Sequence, residues 1–142
     1  MRVCVSGRVW FAVVAAALAV AGCGAGAAGG ASSAPAVVSV ADADNGRTVT
    51  LTKGGRLALT LGSTYWNVAG SSNAAVLRQD AQPVVSPGSC PPGVGCGQVS
   101  VTFTAVGPGR ADVTAARSSC GEALSCTGGA GRYRVTVVVS GP

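Results

Sequence analysis

Apolar and polar residues alternate with period two through five stretches of this chain. Val49 and Leu51 are interleaved with Thr48, Thr50 and Thr52, and Leu57, Leu59 and Leu61 with Arg56, Ala58 and Thr60. Val99, Val101, Phe103 and Ala105 alternate with Ser100, Thr102 and Thr104, and Val113 and Ala115 with Asp112, Thr114 and Ala116. Tyr133, Val135, Val137 and Val139 end the series. Successive strand side chains point to opposite faces, so each stretch predicts a strand with one face on a core. Shorter candidates lie at 36–40, 65–68, 74–79 and 83–86. Asn45-Gly46, Gly54-Gly55, Gly70-Ser71-Ser72 and Gly107-Pro108-Gly109 supply turn signals between them. The last of these predicts a hairpin over 98–117. No stretch carries a helical stripe of useful length. The pattern therefore predicts one all-β domain over 36–142, an immunoglobulin-like antiparallel β-sandwich of seven to eight short strands.

Composition narrows the function. The chain of 142 residues is 48% hydrophobic, 11% charged and 4% aromatic, with 22 Gly and no Ile, so its core must be built largely from Val with few large anchors. The net charge is +5, but the basic residues stand singly and form no cluster of the kind a nucleic-acid surface needs. There is no His, which removes the commonest general base and a frequent zinc ligand. Asp42, Asp44, Asp80, Asp112 and Glu122 are the whole supply of carboxylates. No catalytic residue, metal or cofactor is expected from this inventory. A non-catalytic binding or interaction module is.

The N-terminus reads as an address. Arg2 and Arg8 precede an uncharged apolar run from Val9 to Val20, shorter than the roughly 20 residues of a membrane span and matching the short core of an export signal. Val20-Ala21-Gly22-Cys23 follows and resembles the lipobox of bacterial lipoproteins. The resemblance implies cleavage after Gly22, a diacylglycerol on Cys23, and a protein held by membrane lipid at the extracytoplasmic face. Two acyl chains suffice for stable anchoring, each buried methylene adding about 0.8 kcal/mol. The signal peptide is thus expected over 1–22. Residues 23–35, rich in Gly, Ala and Ser, form a linker that cannot bury enough surface to order itself.

Four further cysteines, Cys90, Cys96, Cys120 and Cys126, are an even set in an exported domain and predict two disulfides. Their five-residue gaps do not match the two-residue gaps of zinc ribbons. Two connectivities are open. A hairpin centred on Gly107-Pro108-Gly109 would bring Cys96 opposite Cys120 and Cys90 opposite Cys126. Local pairs, Cys90 to Cys96 and Cys120 to Cys126, are also buildable and are the pairing we favour. Chain entropy gives about 2.5 kcal/mol for each short closure and about 4 kcal/mol for the long one.

Asp42-Ala43-Asp44-Asn45-Gly46 departs from calcium-loop order, with Gly46 one place early and Lys53 where a bidentate Glu belongs, and reads as a solvated hairpin turn. Tyr65-Trp66 places adjacent aromatics on opposite sides of a strand, so Trp66 is expected in the core and Tyr65 outside, where aromatics favour interfaces.

The order of Asp44-Asn45-Gly46-Arg47-Thr48-Val49-Thr50-Leu51, Leu57 to Leu61, the aromatic pair, a glycine-rich loop, Val99 to Val106, Ala111 to Arg117 and Tyr133 to Val139 resembles the chagasin-type peptidase inhibitors. Those are small immunoglobulin-like domains that block papain-like cysteine peptidases with three loops. The resemblance implies a cysteine peptidase as partner. It places the first loop at Gly62-Ser63-Thr64 with Tyr65-Trp66, the second at Gly93-Val94-Gly95-Cys96-Gly97, and the third at Arg117. In the third, Ser118-Ser119 stand where the family has Pro-Trp. Thr64, Tyr65, Trp66, Gly95, Gly97 and Arg117 are the binding residues it implies. The layout with its Ser-Cys-Gly-Glu-Ala-Leu-Ser-Cys loop is also similar to lipoproteins of high-GC Gram-positive bacteria.

Overall fold

The computed structural model describes residues 34–121 and 123–141. The leader, the lipid site at Cys23, most of the linker and Glu122 lie outside the described residues. Nine strands follow one another: β1 (Val37–Val40), β2 (Thr48–Thr52), β3 (Arg56–Leu61), β4 (Asn67–Ser71), β5 (Leu77–Gln79), β6 (Val84–Pro87), β7 (Gly97–Ala105), β8 (Gly109–Ala116) and β9 (Arg132–Ser140). A single turn of 3-10 helix at Asp42–Asp44 joins the first two.

The strands form two sheets. One has the order β1-β3-β7-β5, with β6 also paired to β7, and the other β2-β9-β8-β4. Alternation decides what goes between them. Leu57, Leu59 and Leu61 face Phe103, Val101 and Val99 across the β3–β7 ladder, and every one of the six is buried. Val113 and Ala115 lie opposite Val135 and Tyr133 across β8–β9, and these too are buried. Val49 is only partly buried and packs against the rim of the core. Thr136 lies on the outward face of β9 yet is buried; its hydroxyl donates to Asp112 Oδ1 at 2.7 Å, which satisfies it.

Two features depart from the sequence expectation. The sheets are mixed rather than purely antiparallel, because β1 runs parallel to β3 and β2 parallel to β9. The described residues form nine strands, two of them, β5 and β6, being short segments laid end to end along the long strand β7.

The hairpin expected over 98–117 does not form. The glycine turn at 107–109 carries the chain from one sheet to the other, so β7 pairs with β3, β5 and β6 while β8 pairs with β4 and β9. Asn45-Gly46 likewise is no hairpin, since β1 and β2 belong to different sheets. Asn45 instead extends the β2–β9 seam: its amide donates to Arg132 O at 2.9 Å and its carbonyl accepts from Arg134 N at 2.9 Å. A turn signal fixes where the chain reverses. It does not fix which sheet the chain reverses into.

Phe103 is the largest fully buried side chain among the described residues, placed on β7 between Leu57 of β3 and Gln79 of β5. Phe103→Ala is expected to cost about 3–5 kcal/mol, as a buried ring lost from a core with few others. Thr50→Ala on the exposed face should stay within about 0.5 kcal/mol. Urea denaturation of both variants checks this, and a Phe103→Ala midpoint equal to that of the parent would contradict the packing described.

Candidate functional site

Register places three loops at one end of the sandwich. β3 ends at Leu61 beside Val99 near the start of β7, and the β6–β7 pair ends at Pro87 opposite Gly97. In the other sheet Ala116 at the end of β8 lies opposite both Arg132 of β9 and Asn67 of β4. The loops at 62–66, 88–96 and 117–131 therefore share an end.

The first loop is a hub. Gly62 N donates to the Asp42 carboxylate at 2.8 Å, tying it to the 3-10 turn. Thr64 N and the Ser63 hydroxyl both donate to Gly95 O, at 2.9 and 3.1 Å. The Tyr65 hydroxyl donates to Gly93 O at 2.6 Å. Tyr65, expected outside the core, is half-buried and spends its hydroxyl on the neighbouring loop. It lies in a turn ahead of β4 rather than within a strand. Its ring lies so close to Gly95 that a Cβ there would run into it, and Gly95 has φ +66, so glycine is required on both counts.

Trp66 faces the other way. It is a core residue at 7% exposure, edge-on to Tyr133 with ring centroids 6.4 Å apart. The Arg117 guanidinium covers its ring at 4.5 Å from the centroid. Arg117 N also donates to Gly131 O at 2.9 Å, closing the base of the third loop.

The second and third loops each carry one disulfide, Cys90–Cys96 and Cys120–Cys126, both local pairs. The nested alternative fails because the hairpin it needs is absent. Among the described residues no group of three or more Cys, Asp or Glu is placed to hold a metal. The acidic turn residues have other partners: Asp44 accepts from Ala41 N at 2.9 Å and pairs with Arg47 at 3.0 Å.

Of the six residues singled out from sequence, Thr64, Tyr65, Gly95 and Arg117 meet at this end, on three different loops. Trp66 serves it from within. Gly97 is the first residue of β7, where φ +116 and the carbonyl of Ser86 leave no room for a side chain, so it shapes the loop rather than lining it. One exposed residue of the same loops escaped the sequence reading: Leu124, at 66% exposure, inside the Cys120–Cys126 ring. Its signal was an apolar residue set between two cysteines and outside any alternating stretch.

No model of a protein family matches the chain, and no curated protein matches it. Solved structures do. Amebosin, known from a solution structure, aligns at TM-score 0.51 and 17% identity over 75% of this chain and 99% of its own. The cysteine protease inhibitor EhICP2 from Entamoeba histolytica aligns at TM-score 0.54 and 10% identity over 74% of this chain and 96% of its own. At these identities the likeness is one of fold: an all-β sandwich of immunoglobulin type.

Tyr133 offers a test of the packing behind the loops. It is 3% exposed, its hydroxyl has no hydrogen-bond partner, and burial, aided by the charges of Asp44 and Asp42, pushes its pKa up to about 12 from 10.0. The folded chain thus holds this proton where the unfolded chain releases it. The stability Tyr133 contributes is complete below about pH 10 and is lost as the pH rises from 10 towards 12. Tyr133→Phe should remove that part of the alkaline loss and leave stability at pH 7 equal or higher, since the hydroxyl makes no bond to forfeit. Urea midpoints at pH 7 and pH 11 decide; a clear loss at pH 7 would mean the hydroxyl is paired.

Proposed function

We propose that this chain is a non-catalytic inhibitor of papain-like cysteine peptidases, held at the outer face of a cell membrane by lipid on Cys23. The observation that carries the inhibitor reading is the junction of loops 62–66, 88–96 and 117–131 on a chagasin-like sandwich, cross-tied through Tyr65 and Trp66. A general binding module needs no such tying. An inhibitor gains from it, because loops already fixed in place lose little conformational entropy on docking.

The chemistry is one of occupation. Gly93, exposed and with open space where a side chain would stand, brings bare backbone to the second loop, which lets main chain approach a partner's cleft closely. Thr64 stands beside Gly95 on the first loop, and Arg117 carries a fixed positive charge at the root of the third. With two loops closed by disulfides, the same end resists opening by the enzyme it blocks.

Papain, activated with thiol and then freed of reductant so that the disulfides survive, is the probe. The chain should inhibit it with a constant in the micromolar range or tighter. Thr64→Ala and Arg117→Ala should each weaken inhibition by roughly tenfold. Absence of inhibition at high concentration discards the reading.

Anchoring is tested separately. Labelled palmitate should enter the protein in an expressing bacterium and be lost with Cys23→Ser. Unlabelled protein would remove the lipid from the proposal and leave the inhibitor untouched.

A further inference from the structure

The third loop poses a question of economy. Four large apolar side chains are exposed among the described residues: Val37, Val84, Val85 and Leu124. The three valines sit on strands: alternation puts Val37 of β1 outside, while the adjacent Val84 and Val85 lie on β6, which pairs with β7 alone and is exposed along its whole length. Leu124 is the most exposed of the four, at 66%, and the one that lies in a loop.

That loop holds it firmly. Cys126 N donates to Ser118 O at 2.8 Å, and Ser119 forms an antiparallel bridge with Ser125. Cys120 N donates to Leu124 O at 2.9 Å, Leu124 N donates to Gly121 O at 2.7 Å, and the disulfide closes the ring. The residue before it, Ala123, has φ 55, the one positive φ outside glycine among the described residues. A left-handed alanine is disfavoured, and such conformations concentrate where a site is held in shape. A chain that fixes a leucine tip in water gains nothing for its own core. An apolar tip on a rigid support is what the centre of a binding surface requires.

Leu124 is the one large apolar side chain among the described residues of the loop at 117–131. Arg117 is laid on Trp66, with Nε donating to Ala130 O at 3.4 Å. Ser118 and Ser119 form the stem of the ring rather than its tip.

We infer that Leu124, presented by the Cys120–Cys126 ring, is the apolar anchor with which the third loop enters a hydrophobic subsite of the target peptidase; this rests on the inhibitor reading above. The preferred target is then a papain-like enzyme whose cleft offers an apolar depression rather than a charged one.

The test measures inhibition of reductant-free activated papain by the full chain with both disulfides formed. Leu124→Asp should raise the inhibition constant by roughly 30-fold or more and Leu124→Ala by about tenfold, with Leu124→Met within about threefold of the parent. Because the side chain is exposed, none of the three should shift the thermal midpoint. Joint replacement Cys120→Ser and Cys126→Ser, with Leu124 kept, should weaken inhibition by about tenfold, since the anchor loses its rigid support. A parent that inhibits alongside a Leu124→Asp variant of equal potency overturns the anchor and leaves the inhibitor reading in place. A double serine variant as potent as the parent overturns the role of the ring. A parent that does not inhibit overturns both the reading and the anchor.

Discussion

Two adjacent side chains hold the loop end of this molecule together. Tyr65 reaches one way, its hydroxyl on Gly93 O and its ring against Gly95. Trp66 reaches the other, into the core and under Arg117. Because the two adjacent rings point apart, one dipeptide ties the second loop with one residue and the third with the next. Each aromatic brings a large apolar surface and a directional contact, which small residues cannot combine. In a chain with 2 Trp and 2 Tyr in all, placing one of each side by side at this junction is a concentrated use of a scarce resource.

The rest of the interior follows a different economy. Val, Leu and Ala fill the space between the sheets, and Phe103 is the one Phe among the buried residues. Such a core stacks flat strands well but does not extend into long loops. The loops at 88–96 and 117–131 accordingly carry their own covalent closures, each between cysteines separated by 6 positions. Stability is thus divided, with burial serving the sheets and local cross-links serving the loops.

Much of this was legible in the alternation. The threonine-spaced Val49 and Leu51 of β2, the leucines of β3 and the long run of β9 are visible because an exposed face and a buried face demand different residues at every second position. Pairing was less legible. Asn45-Gly46, Gly54-Gly55 and Gly107-Pro108-Gly109 mark reversals, yet all three carry the chain between sheets, and glycine permits a crossing as readily as a hairpin. The parallel seams β1–β3 and β2–β9 follow from those crossings and leave no local trace. At the site, Thr64, Gly95 and Arg117 could be placed from the order of loops. Leu124 could not, because period two describes strands, and its mark lay outside them, in an apolar residue set between two cysteines.

The direction of the first strand has a mechanical consequence. β1 runs parallel to β3, and β3 runs towards the loop end, so Val37 stands at the opposite pole of the sandwich. Tension applied through the residues ahead of Val37, against a load gripping the loops, would pull along the strands. Hydrogen bonds from Val37 to Val40 would then be sheared together instead of unzipped one after another, which is the stronger way to load a ladder. A domain strung this way can be tugged from its tail while its far end stays shut.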